Sequence, residues 1–240
     1  VLNYRDNLQV KIRAVSKVND DEFDATRFTM ASPIPLPELE KRLDGYLNSL
    51  KDKDIALLTK TLVGKYYKSY IAYPAAVRNH HEFASGLLHH TVSMADLGEA
   101  IANLYPSVDR DMLIAGILLH DLGKTLELSG PIIPKYTLEG KLIGHISITH
   151  AEIQKSIEAL KINSETATLL SHMVLSHHGK YEYGSPVLPL TREAYLLSVI
   201  DDLDAKMMIL DKAYEQTPEG EFSTRIYAMD DRSFYKPKKR

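Results

Sequence analysis

From residue 37 onward the apolar positions recur with a helical period, broken by short stretches of turn formers. The pattern predicts helices over residues 37–50, 53–72, 86–104, 109–121, 147–161, 164–178 and 190–214. Pro74, Tyr105-Pro106-Ser107, the loop with Pro131 and Pro134, and the Gly184-to-Pro189 segment separate them. Residues 1–31 read differently. Leu8, Val10, Ile12 and Ala14 alternate with Gln9, Lys11, Arg13 and Val15 in a strand-like way, Asn19 to Glu22 form a turn, and Phe28 with Met30 closes a further strand. Two or three strands do not make a stable sheet by themselves. They read as the end of a β domain whose beginning lies upstream, and the first residue, a valine, is read the same way. Pro33, Pro35 and Pro37 then form a stiff linker, each fixing φ and disfavouring helix before it. The fold class is mainly α: a helical bundle preceded by a few strands.

The apolar runs do more than define helices. Met112 to Leu119 is apolar on every side, the mark of a helix buried all round, and runs straight into His120-Asp121. Ala167 to Leu175 leads into His177-His178, with Gly179 as the stop. Tyr195 to Ile200 leads into Asp201-Asp202-Leu203-Asp204. A buried carboxylate costs several kcal/mol unless it is paired or bound to a metal. Three apolar helices ending in cation-binding residue types are harder to explain as scaffold than any one of them. His90 shares a helix face with Leu87, Met94, Leu97 and Ile101. His145 and His150 are five residues apart, about 140° round a helix, so only one can face a common point. His145, at a loop–helix junction, is chosen. His80, His81, His89, His150 and His172 are read as surface or supporting imidazoles. All ten histidines fall between residues 80 and 178.

Lys124 follows Asp121 by three residues and shares its face if the helix continues. A lysine beside a cation site makes sense where an anion lies between, and a phosphate is the natural one.

Composition narrows the chemistry. The 240 residues contain no cysteine, so any metal site uses His, Asp and Glu, a donor set suited to Mn²⁺, Fe²⁺, Ni²⁺ or Zn²⁺. No disulfide framework is possible, which suits a cytoplasmic location. With 44% apolar and 25% charged residues the chain can bury a substantial core. No apolar run approaches the roughly 18–20 residues of a membrane helix. A net charge of −3 argues against a surface that traps nucleic acid everywhere, though not against a local channel. The basic run Lys236, Lys238, Lys239 and Arg240 reads as a solvated, mobile tail. No GxxxxGK[ST] loop or GxGxxG fingerprint is present. Five histidines and two aspartates exceed the needs of one cation. Two cations about 3.5–4 Å apart, bridged by a carboxylate, would acidify water and neutralise the charge of an in-line displacement at phosphorus.

The ordered set His90, His120-Asp121-Leu122-Gly123-Lys124, His145, His177-His178 and Asp201 resembles the HD superfamily of metal-dependent phosphohydrolases over residues 75–210. The histidine pair and His145 are similar to its two-metal branch, which includes the HD-GYP cyclic-dinucleotide phosphodiesterases. The resemblance implies one cation on His90, His120, Asp121 and Asp201. It implies a second on His145, His177 and His178, with Asp121 bridging. The Asp-x-x-Asp-Ala spacing favours Asp201 over Asp202. The Gly-Tyr-Pro signature is missing, because Gly179-Lys180-Tyr181 follows the pair. Tyr4 to Ile12 and the proline linker bring the chain nearest to the YhaM family of 3′-5′ exoribonucleases, which join an OB-fold to an HD domain. That implies residues 1–32 as the end of an OB-fold, 33–52 as linker and first helix, 53–215 as the HD domain and 216–240 as a tail. The implied activity is Mn²⁺-dependent 3′-5′ hydrolysis of single-stranded RNA, with Asp121 and Lys124 catalytic and Lys124 also holding substrate; a homo-oligomer is compatible with it. The rivals are an HD nucleotidase or cyclic-nucleotide phosphodiesterase, a non-catalytic metal- or ligand-sensing module, and a helical scaffold with a buried polar network.

Overall fold

The computed structural model describes residues 2–4, 7–10, 12–16, 32–76, 83–162 and 164–239. Two short strands, β1 (Leu2–Tyr4) and β2 (Asn7–Gln9), pair antiparallel with Leu2 opposite Gln9. The alternation expected through Val15 does not continue as a strand: residues 12–16 are irregular, and Val10, Ile12 and Val15 are exposed. One hairpin does not define an OB-fold. The turn at Asn19 and the strand at Phe28 and Met30 lie outside the described residues.

The rest is helical: α1 (Leu36–Ser49), α2 (Lys53–Ala72), α3 (Gly86–Leu104), α4 (Arg110–Leu119), α5 (Lys124–Glu127), α6 (Leu138–Leu142), α7 (Gly144–Leu160), α8 (Ser164–Ser176) and α9 (Arg192–Glu215). Short side chains start four of them, Thr137 accepting from the Gly140 N–H at α6. Asp52 accepts from the backbone N–H of Asp54 and Ile55, Asp109 from Met112 and Thr191 from Ala194. After α8, Gly179 takes φ +77° and turns the chain, as a helix stop requires.

The architecture is built round α4. Every residue from Met112 to Leu119 is buried, and α4 packs against α2, α3, α8 and α9. A helix apolar on all sides can be satisfied only in the middle of a bundle. Leu39, Leu43 and Leu47 place α1 in the same core. Tyr70 of α2 is fully buried and donates its hydroxyl to the carbonyl of Leu118, tying α2 to the last turn of α4.

Two further differences from the periodicity matter. The helices α5 and α6 were missed, being four and five residues long, too short for a helical period to show. The intervening segment with Pro131 and Pro134 is closed by an isolated bridge between Leu128 and Tyr136. At the C-terminus, Lys236 is not a mobile tail residue. Its ammonium donates to the carbonyls of Tyr214 and Thr217, capping α9, while Phe222–Tyr235 and Ile226–Arg232 bridges fold the segment on itself. Arg240 lies outside the described residues.

Helix α7 is fastened to α2 by Glu152, whose buried carboxylate accepts from Lys65, Tyr66 and Lys155 at 2.6–2.7 Å. Burial alone would raise its pKa. The hydrogen bonds from Lys155, Lys65 and Tyr66 outweigh that and hold it down at about 2. A carboxylate with a depressed pKa stabilises the fold above its unfolded-state value, and loses that contribution as pH falls toward the folded value. Glu152→Gln is therefore expected to cost about 1–3 kcal/mol at pH 7. In urea unfolding, the gap from the parent protein should narrow as pH drops through the range from about 4 to 2. A gap constant with pH would contradict the assignment.

Candidate metal centre

Five helices deliver their polar residues to one buried spot. His90 comes from the first turn of α3, and His120 and Asp121 from the turn just past α4. His145 comes from the first turn of α7, His177 and His178 from the turn after α8, and Asp201 from α9. Asp201 lies in the interior of α9, which continues fourteen residues beyond it to Glu215, so it is not at a helix end as the apolar run implied. The structure brings all seven residues together. His90, His120 and His177 are fully buried, and Asp121 is 3% exposed.

Asp121 is the hub. Its Oδ2 lies 3.3 Å from His120 Nε2 and 3.8 Å from His90 Nε2. Its Oδ1 lies 3.4 Å from His145 Nε2 and 3.8 Å from His177 Nε2. His90 Nε2 is also 3.2 Å from Asp201 Oδ1. Nitrogen and oxygen donors fall into three overlapping groups, each within 4.8 Å: His145, His177 and His178; His90, His120 and Asp121; His120, His177 and Asp201.

The orientation of the rings follows from what holds their other nitrogen. Nδ1 of His120 is 2.8 Å from the Ile117 carbonyl, that of His177 2.7 Å from Val174, and that of His178 2.7 Å from Tyr183. Nδ1 of His90 is 2.7 Å from a carboxylate oxygen of Asp204, and Nδ1 of His145 is 3.2 Å from Glu127, which also accepts the His145 backbone N–H. A carbonyl or an ionised carboxylate can only accept, so each of these Nδ1 atoms carries a proton, and on a neutral ring Nε2 is left with the lone pair. Every Nε2 therefore turns inward as a ligand atom. Nε2 of His120, His145 and His177, together with Asp121 Oδ1, are buried with no hydrogen-bond partner. Buried polar atoms without partners cost about 1–3 kcal/mol each, and divalent cations are what this donor set fits.

The electrostatics agree. Burial pushes the pKa of His177 well below the ordinary value, and the neighbouring His178 and His120 add to it. His178 is lowered by burial and by His145. Both are neutral, as a ligand must be. Burial opposes charge on His90, but hydrogen bonds to Asp201 and Asp204 outweigh it and lift its pKa to about 10, so a cation entering there displaces a proton. Burial would raise the pKa of Asp121, yet Lys124, His120 and His145 hold it well below the usual carboxylate range.

Lys124 reaches Asp121 by another route than a continuing helix. The chain turns through residues 120–123 and restarts as α5, and the buried Lys124 ammonium sits 2.6 Å from Asp121 Oδ2. Lys124, Asp121, His145, His178 and Asp201 line one side of a cavity of about 560 Å³ whose other lining includes Tyr136, Tyr183, Ser198 and Asp202. His150 and His172 stay out of the centre, as does His89, whose Nδ1 is 3.1 Å from Ser32. His80 and His81 lie outside the described residues. Sequence reasoning missed Asp204 and Glu127 as supports. Asp204, three residues after Asp201, shares its helix face and was open to that argument; nothing in the local pattern marks Glu127.

Gly123 sets the approach of the α4–α5 turn to α7. Its N–H donates to the Thr149 hydroxyl, which donates to the His145 carbonyl. A Cβ at Gly123 would lie 2.4 Å from the His145 carbonyl oxygen.

The HD domain family model matches residues 87–206, and the chain belongs to the HD domain family, a class of metal-dependent hydrolases. No solved structure matches the chain significantly. No helix among the described residues is long and apolar enough to cross a membrane.

Two outcomes are expected. Mn²⁺ added to metal-stripped protein at a hundred times its dissociation constant should stabilise it by about 2.7 kcal/mol, read as a rise in melting temperature. No shift with Mn²⁺, Fe²⁺, Ni²⁺ or Zn²⁺ would count against a metal centre. Gly123→Ala should cost about 1–3 kcal/mol by overpacking. It should also reduce the bound-metal content measured by elemental analysis, because His145 is pushed off Asp121.

Proposed function

We propose that this HD-family protein is a 3′-5′ exoribonuclease that hydrolyses phosphodiester bonds of single-stranded RNA with two divalent cations, Mn²⁺ foremost. The observation that carries the reading is the inward set of Nε2 atoms round Asp121, whose two oxygens face different histidine pairs. His90, His120, Asp121 and Asp201 would hold one cation; His145, His177 and His178 would hold the other, with Asp121 common to both. Cations held there supply Lewis acidity toward a phosphoryl oxygen and acidify water for in-line attack. Of the chain's own groups, Lys124 places a buried positive charge at the wall of the cavity, where a phosphate oxygen can meet it. Burial disfavours that charge, and Asp121, Asp201 and Glu127 sustain it, so the ammonium stays protonated. The Tyr183 and Ile117 carbonyls and the Glu127 and Asp204 carboxylates hold the rings in register, so no reorganisation is needed when substrate arrives.

The choice of RNA rests on the resemblance of Tyr4 to Ile12 and the proline linker to the YhaM family. It rests also on Gly179-Lys180-Tyr181, which replaces the signature of the cyclic-dinucleotide enzymes. A second reading, turnover of small nucleotides, has one observation in its favour: the cavity of about 560 Å³ is the size of a small-molecule site.

Metal-stripped protein given Mn²⁺ and a 5′-labelled single-stranded RNA should shorten it stepwise from the 3′ end. Internal fragments, or no cleavage with any divalent metal, would refute the exonuclease, and turnover confined to mononucleotides or cyclic nucleotides would favour the second reading. Asp121→Ala should abolish turnover. Retention of more than about a tenth of the rate would be incompatible with a ligand shared by both cations, since losing such a group removes several kcal/mol of transition-state stabilisation.

A further inference from the structure

Helix α9 buries Ala194, Leu197 and Ile200 toward the core, and one side of the helix flanking that face stays only partly covered. Along that side Ser198, Asp202, Ala205, Ile209, Ala213 and Gln216 follow one another at intervals of three or four residues, forming one continuous stripe. Successive cavities are lined by this stripe and overlap. The metal cavity shares Tyr183, Asp202 and Ala205 with a second cavity. The second shares Ile209, Tyr227 and Ala228 with a third that ends at Gln216. The opposite wall is the folded C-terminal segment from Thr224 to Asp231. Together they form one groove that leaves the metal centre and runs along α9 from Asp202 to Gln216, roughly 20 Å at 1.5 Å per residue.

We propose that this groove carries the single-stranded RNA leading to the metal centre, with Tyr183 and Tyr227 as stacking platforms for its bases. The assignment rests on the exoribonuclease reading of that centre and adds to it the path of the strand.

Three features point to a nucleic acid strand. Tyr227 is 93% exposed and offers a flat face to bases without sequence demand, while Tyr183, 54% exposed, lines the groove with the Lys180 ammonium 5.0 Å over its ring, a cation beside the aromatic platform. Lys206 and Arg225 lie on it and are engaged only by exposed partners, Asp202 and Asp231. Such exposed pairs are weak, so a phosphate can take either cation over. Lys212 lines the groove as well, so its three cations, with Lys206 and Arg225, match the three carboxylates Asp202, Asp230 and Asp231. The length suits about six nucleotides at the 3.4 Å spacing of a stacked strand. This also explains how a chain of net charge −3 grips RNA: the grip is stacking along a neutralised groove more than a basic surface.

The test uses the full chain with Mn²⁺, comparing Tyr227→Ala and Ile209→Glu with the parent. Binding is read by fluorescence anisotropy with a fluorescein-labelled octauridylate carrying hydrolysis-resistant phosphorothioate linkages. Hydrolysis is read as the ratio of kcat/KM for octauridylate over that for the dinucleotide. Each variant should weaken octamer binding about tenfold and lower the ratio to match, with melting temperatures unchanged. Binding within about twofold of the parent for both variants overturns the groove, even if RNA is still shortened. If the parent fails to shorten RNA while both variants still lose octamer binding, the exonuclease reading falls and the groove stands as an RNA site.

Discussion

Lone pairs that cannot be satisfied by protein atoms govern this structure. Nε2 of His120, His145 and His177 and one oxygen of Asp121 converge in the interior without a hydrogen bond to any protein group. A hydrogen-bond network built for stability would have paired such atoms, because a half-satisfied buried network is worse than an apolar core. Here each ring is instead anchored through Nδ1, by a backbone carbonyl or a carboxylate, and on His120, His145 and His177 this leaves Nε2 facing the shared centre without a protein hydrogen bond. The scaffold thus spends stability to keep these donors aimed at a common point, which is the expected signature of a preorganised cation site. The remaining elements follow from it. Helix α4 must be buried on every side to bring Asp121 to the middle, and Gly123 must lack a side chain so that α7 can bring His145 within 3.4 Å.

The two ends of the centre differ in charge. At one end His90 is flanked by Asp201 and Asp204, and its surroundings attract a proton as strongly as they attract a metal. At the other end burial and neighbouring imidazoles, His178 beside His177 and His145 beside His178, lower the basicity of both rings, and Asp201 reaches them across the centre while Glu127 is set behind His145. A carboxylate-rich pocket favours harder cations and an imidazole-rich one favours borderline cations, so a cation held at one end would meet a different donor chemistry from one held at the other. Asp121, with one oxygen toward each end, is the group that couples them.

Much of this was legible in the chain because burial leaves a mark in composition. An apolar run from Met112 to Leu119 with no polar face can only be a central helix, and the His-Asp that follows it can only be expensive or functional. The same argument reached His177, His178 and Asp201, though Asp201 sits inside α9 and not at its end. Helical rotation allowed only one of His145 and His150 to face the centre, and the loop–helix junction singled out His145. What stayed hidden has a common cause. Glu127 and the carbonyls of Ile117, Val174 and Tyr183 act through tertiary placement or through backbone atoms that every residue carries. Helices α5 and α6 are too short for a period to emerge. Lys236 looked like a tail residue because a cap on distant carbonyls is invisible to local pattern.

That division bears on substrate. The deep half of the centre, His90, His120 and His177, is made by long apolar helices and is the part that periodicity finds. The open half joins Lys124 of α5 and Tyr136 of the bridged loop to Tyr183, in a short turn, and to the outer face of α9. These surfaces carry little periodic signal, yet they are what a substrate touches. Metal chemistry can therefore be read from the chain with some sharpness, while the choice of substrate depends on segments whose arrangement only the folded structure supplies. The groove along α9 belongs to that second kind: its stripe of Ser198, Asp202, Ala205 and Ile209 reads as an ordinary solvated helix face until the C-terminal segment folds back to give it a second wall.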